Sequence, residues 1–230
     1  MANGSLTWLG HAAFRLDTPG GKRVYVDPFL DNPKCPENEK QPARVDLIAI
    51  THGHGDHVGS TVELFERHQP TVVAQVEVRG WLELKGVTGA AGNDPNKGGT
   101  WLWEGIELSL TDANHSSSGP EGEYLGEPTG LVFKLEDGKT IYFAGDTNVF
   151  GDMELIRRIY APEIAVLPIG DHYTMGPREA AVALELLGVR RCVPCHWGTF
   201  PLLRGTPQQL QELAPDVEVH LLDPGDTVAL

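Results

Sequence analysis

The stretch Thr51-His-Gly-His-Gly-Asp-His-Val-Gly59 decides how this chain is read. It sets three imidazoles and a carboxylate, His52, His54, Asp56 and His57, among glycines that disfavour a helix, so an extended or turning segment is expected. Residues two apart then share a side. His52, His54 and Asp56 point one way and His57 swings to the other, a geometry for two adjacent metal ions. A closed structural zinc site takes four ligands, usually with thiolates among them. Histidines mixed with aspartate, and further ligands supplied from afar, suit an open hydrolytic centre instead.

Working outward, Asp46-Leu-Ile-Ala-Ile50 reads as a buried strand ending at this loop, and Ser60 to Arg67 has a serine cap and helical apolar spacing. Together they imply a βα unit. Upstream, Leu6 to Leu9, Ala13 to Leu16 and Arg23 to Val26 are short strands, followed by a loop from Asp31 to Arg44 long enough to reach a site mouth. Downstream, Thr71 to Ala74 repeats the strand pattern, Val76 to Leu84 suits a helix, and Gly89 to Gly99 is a glycine-rich loop. Strands resume at Thr100 and continue over Gly105 to Thr111. Leu131 to Leu135 and Thr140 to Ala144 flank the hairpin signal Glu136-Asp-Gly-Lys139. Helices are expected at Met153 to Tyr160, Pro177 to Leu187 and Thr206 to Leu213, with strands at Ile164 to Ile169, Arg191 to Pro194, Val217 to Leu222 and Thr227 to Leu230. Two halves, each a meander followed by βα units, predict two sheets face to face with helices outside.

The 230 residues are enough for one sizeable core, and no linker-like break divides them, so residues 1–230 are expected to form a single domain. A net charge of -14 opposes nucleic acid and anionic membrane as partners and leaves a small-molecule substrate, with homo-oligomerisation open. Met1-Ala-Asn-Gly-Ser5 has no basic start leading into an apolar run, and three cysteines do not make a full set of disulfides, so the expectation is a cytoplasmic protein.

Further ligand-type residues, His115, Asp146 and His196, each fall just after a predicted strand. With these in place the sequence resembles the metallo-β-lactamase-fold hydrolases, and the resemblance spans nearly the whole chain. Trp8-Leu-Gly-His-Ala-Ala-Phe14, Asp27-Pro-Phe-Leu30, Ala144-Gly-Asp-Thr147, Pro168-Ile-Gly-Asp171, Thr174-Met-Gly-Pro177 and Thr199-Phe-Pro201 are similar to the short bacterial metal-dependent hydrolases of uncharacterised function related to ascorbate-6-phosphate lactonase. The resemblance implies a four-layer αββα sandwich. It assigns His52, His54 and His115 to one metal, Asp56, His57 and His196 to a second, and Asp146 as the bridge. Two divalent transition-metal ions are implied, zinc first, with manganese, nickel or iron as alternatives. A metal-bridging hydroxide would then cleave an ester, lactone or phosphoester of a small molecule, anionic ones included.

Around this set, Asp27 is a candidate acceptor for the second N–H of a ligand histidine. His11 and His172 are candidates for proton donors or substrate contacts, joining Asp56 and Asp146 in the catalytic set. Lys97, in the loop from Asn93 to Gly99, is the cation considered for an anionic group, although a solvated turn is the plainer expectation. Cys192-Val-Pro-Cys195-His196 matches the c-type haem and thiol-redox spacings, but it ends a strand rather than opening a helix and is read as coincidence. Two competing functions are a catalytically silent metal-binding protein on the same fold and an RNA-processing type of nuclease or phosphodiesterase. Retention of all seven ligand-type residues opposes the first, and the acidic balance opposes the second.

Overall fold

The computed structural model describes residues 4–89 and 92–230. Met1 to Asn3, and Ala90 and Ala91 of the expected Gly89–Gly99 loop, lie outside it.

The first sheet contains β1 (Ser5–Trp8), β2 (Phe14–Asp17), β3 (Arg23–Val26), β4 (Leu47–Ala49), β5 (Thr71–Val73) and the last strand, β13 (Thr227–Ala229), in the order β13-β1-β2-β3-β4-β5. The second contains β6 (Thr100–Trp103), β7 (Ile106–Asp112), β8 (Thr129–Lys134), β9 (Thr140–Phe143), β10 (Ile164–Pro168), β11 (Arg191–Cys195) and β12 (Glu218–Val219), in the order β12-β11-β10-β9-β8-β7-β6. Helices α1 (Gly55–Val58), α2 (Thr61–His68) and α3 (Val76–Leu84) belong to the first half, and α4 (Met153–Tyr160), α5 (Pro177–Leu187) and α6 (Pro207–Leu213) to the second.

Strand alternation explains the layers. Leu6, Trp8, Phe14, Leu16, Val24, Val26, Leu47 and Ala49 face the sandwich interior and meet Leu108, Leu110, Leu131, Phe133, Ile141, Phe143, Val166 and Val193 from the other sheet. The residues between them face outward. Tyr25, Ile48 and Val72 pack beneath Leu64, Phe65, Val78 and Leu82 of α2 and α3, while Tyr142, Ala165 and Leu167 pack beneath Met153, Ile156, Leu184 and Leu210 of α4 to α6. Both faces of each sheet are thereby covered, which is why Leu47, Ile48 and Ala49 form an unbroken buried run. The chain has the αββα metallo-β-lactamase fold.

Strand direction then places the site. β1, β3 and β4 run the same way in the first sheet, and β7, β9, β10 and β11 the same way in the second. Their C-terminal ends carry Leu9 to His11, Asp27, Thr51 to His57, His115, Asp146 and His196.

Two local expectations differ from the structure. Gly55 to Val58 is a single helical turn, in which His57 N–H and Val58 N–H donate to the His54 carbonyl at 2.9 and 3.0 Å. Ser60 precedes α2 but does not cap it; its Oγ accepts from Leu30 N–H at 3.3 Å, tying the helix to the loop after β3. Thr206, in contrast, caps α6 with Gln209 reciprocating, and Pro207 opens that helix.

Candidate metal centre

The ligand loop is clamped from both sheets. Thr129 N–H and Oγ–H both donate to the Thr51 carbonyl, at 3.0 and 2.8 Å, so β8 holds the strand end from which His52 departs. Gly145 is required beside them. Its φ is +63°, and a Cβ there would lie 2.8 Å from the Thr129 carbonyl oxygen.

The helical turn corrects the two-residue alternation. Asp56 does not share a side with His52 and His54; the turn carries it, with His57, toward His196 and His11. Ring or carboxylate atoms of His52, His54 and His115 gather in one group, and those of His11, Asp56, His57 and His196 in another. Asp146 lies between them. Its Oδ2 is 3.3 Å from His57 Nε2, 3.2 Å from His196 Nε2 and 3.6 Å from His115 Nε2. All seven residues expected as ligands are therefore brought together.

Buried carboxylates orient the rings. Asp27, itself in the left-handed region at φ +46°, accepts Thr51 N–H at 2.8 Å and Thr51 Oγ–H at 2.7 Å, and its Oδ2 lies 2.8 Å from His57 Nδ1. The Nδ1 proton is thus fixed, and Nε2 is aimed at Asp146. Asp27 thus stands where the sequence reading expected an acceptor for a ring N–H. Thr51 was not anticipated, and nothing in its sequence context distinguishes it from any threonine at a strand end.

His11 takes a different position from a pocket-lining donor. It is fully buried, its ring lies between Phe29 and Phe200 and against His196, and its Nε2 is 2.8 Å from Asp56 Oδ2. Its carbonyl accepts from Trp8 Nε1–H and His196 N–H, both at 2.9 Å. His172 is not drawn into the cluster. It is exposed, edge-on to Tyr173, on a loop whose Gly170 backs onto the His196 carbonyl.

The electrostatics divide the histidines. Burial pushes His52, His54 and His115 below the ordinary histidine range, and pushes His11 down to about 4 against the pull of Asp56. Burial acts the same way on His57 and His196, but the carboxylates outweigh it. Asp146 and Asp27 hold His57 well above its usual value, and Asp146 with Asp56 raises His196 to about 9. Burial would raise Asp146 and Asp56, yet the facing imidazoles hold both below the carboxylate range.

The donor set fits divalent metal. His57 Nε2, His196 Nε2, His196 Nδ1 and Asp146 Oδ1 are buried without a hydrogen-bond partner among the described residues. An orphaned buried polar atom costs roughly 1–3 kcal/mol, and a divalent ion is one partner that His57 Nε2, His196 Nε2 and Asp146 Oδ1 could share. Neutral imidazoles with carboxylates match the preference of borderline transition-metal ions.

With this geometry in place, the sequence pattern of the Beta-lactamase superfamily domain matches residues 22–197. The chain belongs to the metallo-β-lactamase superfamily. Within that superfamily it is 46% identical over 226 residues to a UPF0173 metal-dependent hydrolase of Koribacter versatilis, with 96% of each chain covered. It is also 46% identical over 230 residues to one from Rubrobacter xylanophilus, covering 96% of this chain and 94% of the relative. The solved structure of Igni18, a metallo hydrolase from the archaeon Ignicoccus hospitalis, superposes with a TM-score of 0.90 at 33% identity, covering 100% of this chain and 99% of that one. The chain is thus a member of the UPF0173 metal-dependent hydrolase family.

The Cys-x-x-Cys-His match is resolved by strand geometry. In this metallo-β-lactamase fold Cys192 faces the α4–α6 layer and Cys195 the sandwich interior, so the thiols lie on opposite sides of β11. Both are free and buried, and burial pushes both thiols up, away from the reactive thiolate. No helix among the described residues is long and apolar enough to cross a membrane.

Proposed function

We propose that this protein is a binuclear hydrolase that cleaves an ester, lactone or phosphoester of a small molecule, with zinc as the first expectation for both ions. One observation carries the reading: Asp146 Oδ2 lies within 3.6 Å of imidazole nitrogens from both histidine groups, His115 on one side and His57 and His196 on the other. His52, His54 and His115 would hold one ion, Asp56, His57 and His196 the second, and Asp146 both. Bound divalent ions supply Lewis acidity and lower the pKa of a bound water to about 7.

The chain's own residues do the rest. Asp27 and Thr51 keep His57 in one tautomer, His11 holds Asp56 in place, and Asp146, unlike the part-exposed Asp56, is buried, where its charge acts most strongly. His172 is assigned to the substrate side. Asp171 and His172 have φ of +64° and +63°, a conformation that costs non-glycine residues roughly 1–3 kcal/mol each and collects at functional sites. Asp171 N–H donates to the Met175 carbonyl at 2.9 Å, and Met175 N–H donates to the Thr147 carbonyl at 3.1 Å, directly after Asp146. The loop that presents His172 is thereby tied to the centre.

Metal analysis of purified, metal-replete protein tests the reading, together with a screen of lactones, carboxylic esters, phosphodiesters and thioesters. Two ions per chain and turnover in at least one class are expected. Saturation at a single ion overturns the binuclear assignment, and two ions without turnover across the panel overturn the hydrolase assignment.

A further inference from the structure

A half-buried cation beside the loop that follows His196 identifies a further binding position. The chain carries an excess of 14 negative charges, and nearly every half-buried cation is spoken for. Lys97, the cation singled out in the sequence for an anionic group, is neutralised by Glu127 at 2.6 Å and Asp112 at 2.9 Å. Lys34, Arg158, Arg178, Arg190 and Arg204 lack a carboxylate within ion-pair distance among the described residues. The four arginines are exposed, and solvent serves them. Lys34 is half-buried.

Lys34 is also held in place. Asn32, fully buried, donates through its side-chain amide to the carbonyls of Leu9 at 3.1 Å and Phe29 at 2.6 Å, and accepts Lys34 N–H at 2.9 Å. The loop after β3 is thus riveted to the segment carrying His11. Gly10 lets the backbones meet; a Cβ there would lie 3.0 Å from Lys34 Cβ, and φ is +88°. The Lys34 Nζ sits 5.1 Å from the ring centroid of Trp197, which stacks on buried Trp8 at 5.2 Å. A Cβ on Gly198 would lie 2.9 Å from that Nζ. Gly198 is two residues beyond His196, a backbone span of at most about 7 Å. Phe200, on the same loop, is partly exposed and reaches the His11 ring at 5.4 Å.

From these placements we infer that Lys34 forms an anion-binding position beside the Asp56–His57–His196 side of the centre, and that the substrate carries a phosphate or carboxylate group that it receives. The inference rests on the hydrolase reading and names the substrate class for it. An acidic protein repels anions at long range but is screened beyond about 8 Å in physiological salt, so a single fixed ammonium can govern recognition at contact distance. The cation–π contact keeps the ammonium in position without cancelling its charge, as a carboxylate would.

The test measures equilibrium binding of inorganic phosphate and of acetate to the metal-loaded protein, in wild type, Lys34→Met, Lys34→Gln and Lys34→Arg. Methionine keeps the apolar stem over Trp197, and glutamine serves if methionine does not fold. Both neutral variants are expected to keep the wild-type metal content and melting temperature while weakening one of the two anions about tenfold, the scale of one charge-assisted contact. Arginine is expected to restore binding. The anion that weakens tells phosphate from carboxylate. Unchanged affinity for both in the neutral variants overturns the inference, as does a loss that arginine fails to repair. The hydrolase reading fails separately, by absence of turnover across the panel, and that outcome leaves the phosphate or acetate result standing on its own.

Discussion

Asp27 Oδ2 lies 2.8 Å from His57 Nδ1, with both side chains buried and the same carboxylate accepting the Thr51 N–H and Oγ–H. Asp27 stands outside the seven residues assigned as ligands, yet it decides which nitrogen of His57 is free. Asp27→Ala is expected to lower affinity for one ion by roughly 10–100-fold, the usual effect of losing the partner of a ligating imidazole. Competitive chelator titration, with cobalt as a spectroscopic probe, reads it. Unchanged affinity for both ions shows that Thr51 and the fold alone orient the ring.

Asp146 is the only carboxylate among the described residues placed within 4 Å of histidines from both groups. Asp146→Ala is expected to lower occupancy of at least one ion and abolish hydrolysis together. Metal content measured beside turnover checks it; full occupancy of both ions in the variant removes Asp146 from the bridging role.

The metal-free protein should have a pH optimum set by this cluster. His196 rises from 6.5 to about 9 in the fold and His57 rises in the same direction, so their contribution is complete below 6.5 and is lost as pH climbs through about 9. Asp146 and Asp56 are depressed, so theirs is present above the ordinary carboxylate value and lost in acid. His11, held to about 4, remains neutral in the fold and penalises it below 6.5. The melting temperature of chelated protein is therefore expected to be highest near neutrality and to fall between pH 7 and about 9. Metal displaces the protons on His57 and His196, so the loaded protein should lose this alkaline decline. A chelated protein whose melting temperature stays flat over that range contradicts the assignment.

His172 stands apart from the metal-facing atoms, exposed on a strained loop. His172→Ala should keep both ions and lower turnover by roughly 10²–10⁴-fold, the range for a positioned acid or base. Metal analysis and a pH–rate profile on the substrate from the screen decide it. Full activity across the profile assigns His172 to the loop's structure, and a lost ion moves it among the ligands.

Much of this was legible in residue order because it depends on local pattern. Runs such as Leu47-Ile-Ala49, the capped entry to α6 through Thr206 and Pro207, and the Glu136-Asp-Gly-Lys139 turn announce their elements within a few residues. The ligand types were legible too. His-x-His-x-Asp-His is dense in metal-binding chemistry, and His115, Asp146 and His196 each follow a strand. Sides were harder to read. The alternation of an extended chain placed Asp56 with His52 and His54, and a single helical turn, stabilised by the His54 carbonyl, sent it to the opposite group.

Residue order determined which chemistry this chain can perform, since imidazole and carboxylate donors are present whatever the packing. Tertiary structure alone decided who serves whom: that His11 bonds Asp56, that Thr51 joins Asp27 beneath His57, and that Lys34 lies over Trp197 with no carboxylate among the described residues within ion-pair distance. The physical reason is separation along the chain. His11 and Asp56 are 45 residues apart and Asp27 and His57 are 30 apart, and neither pair has a local signal. Only the shared direction of strands in two packed sheets, fixed by burying their faces, brings those ends to one edge.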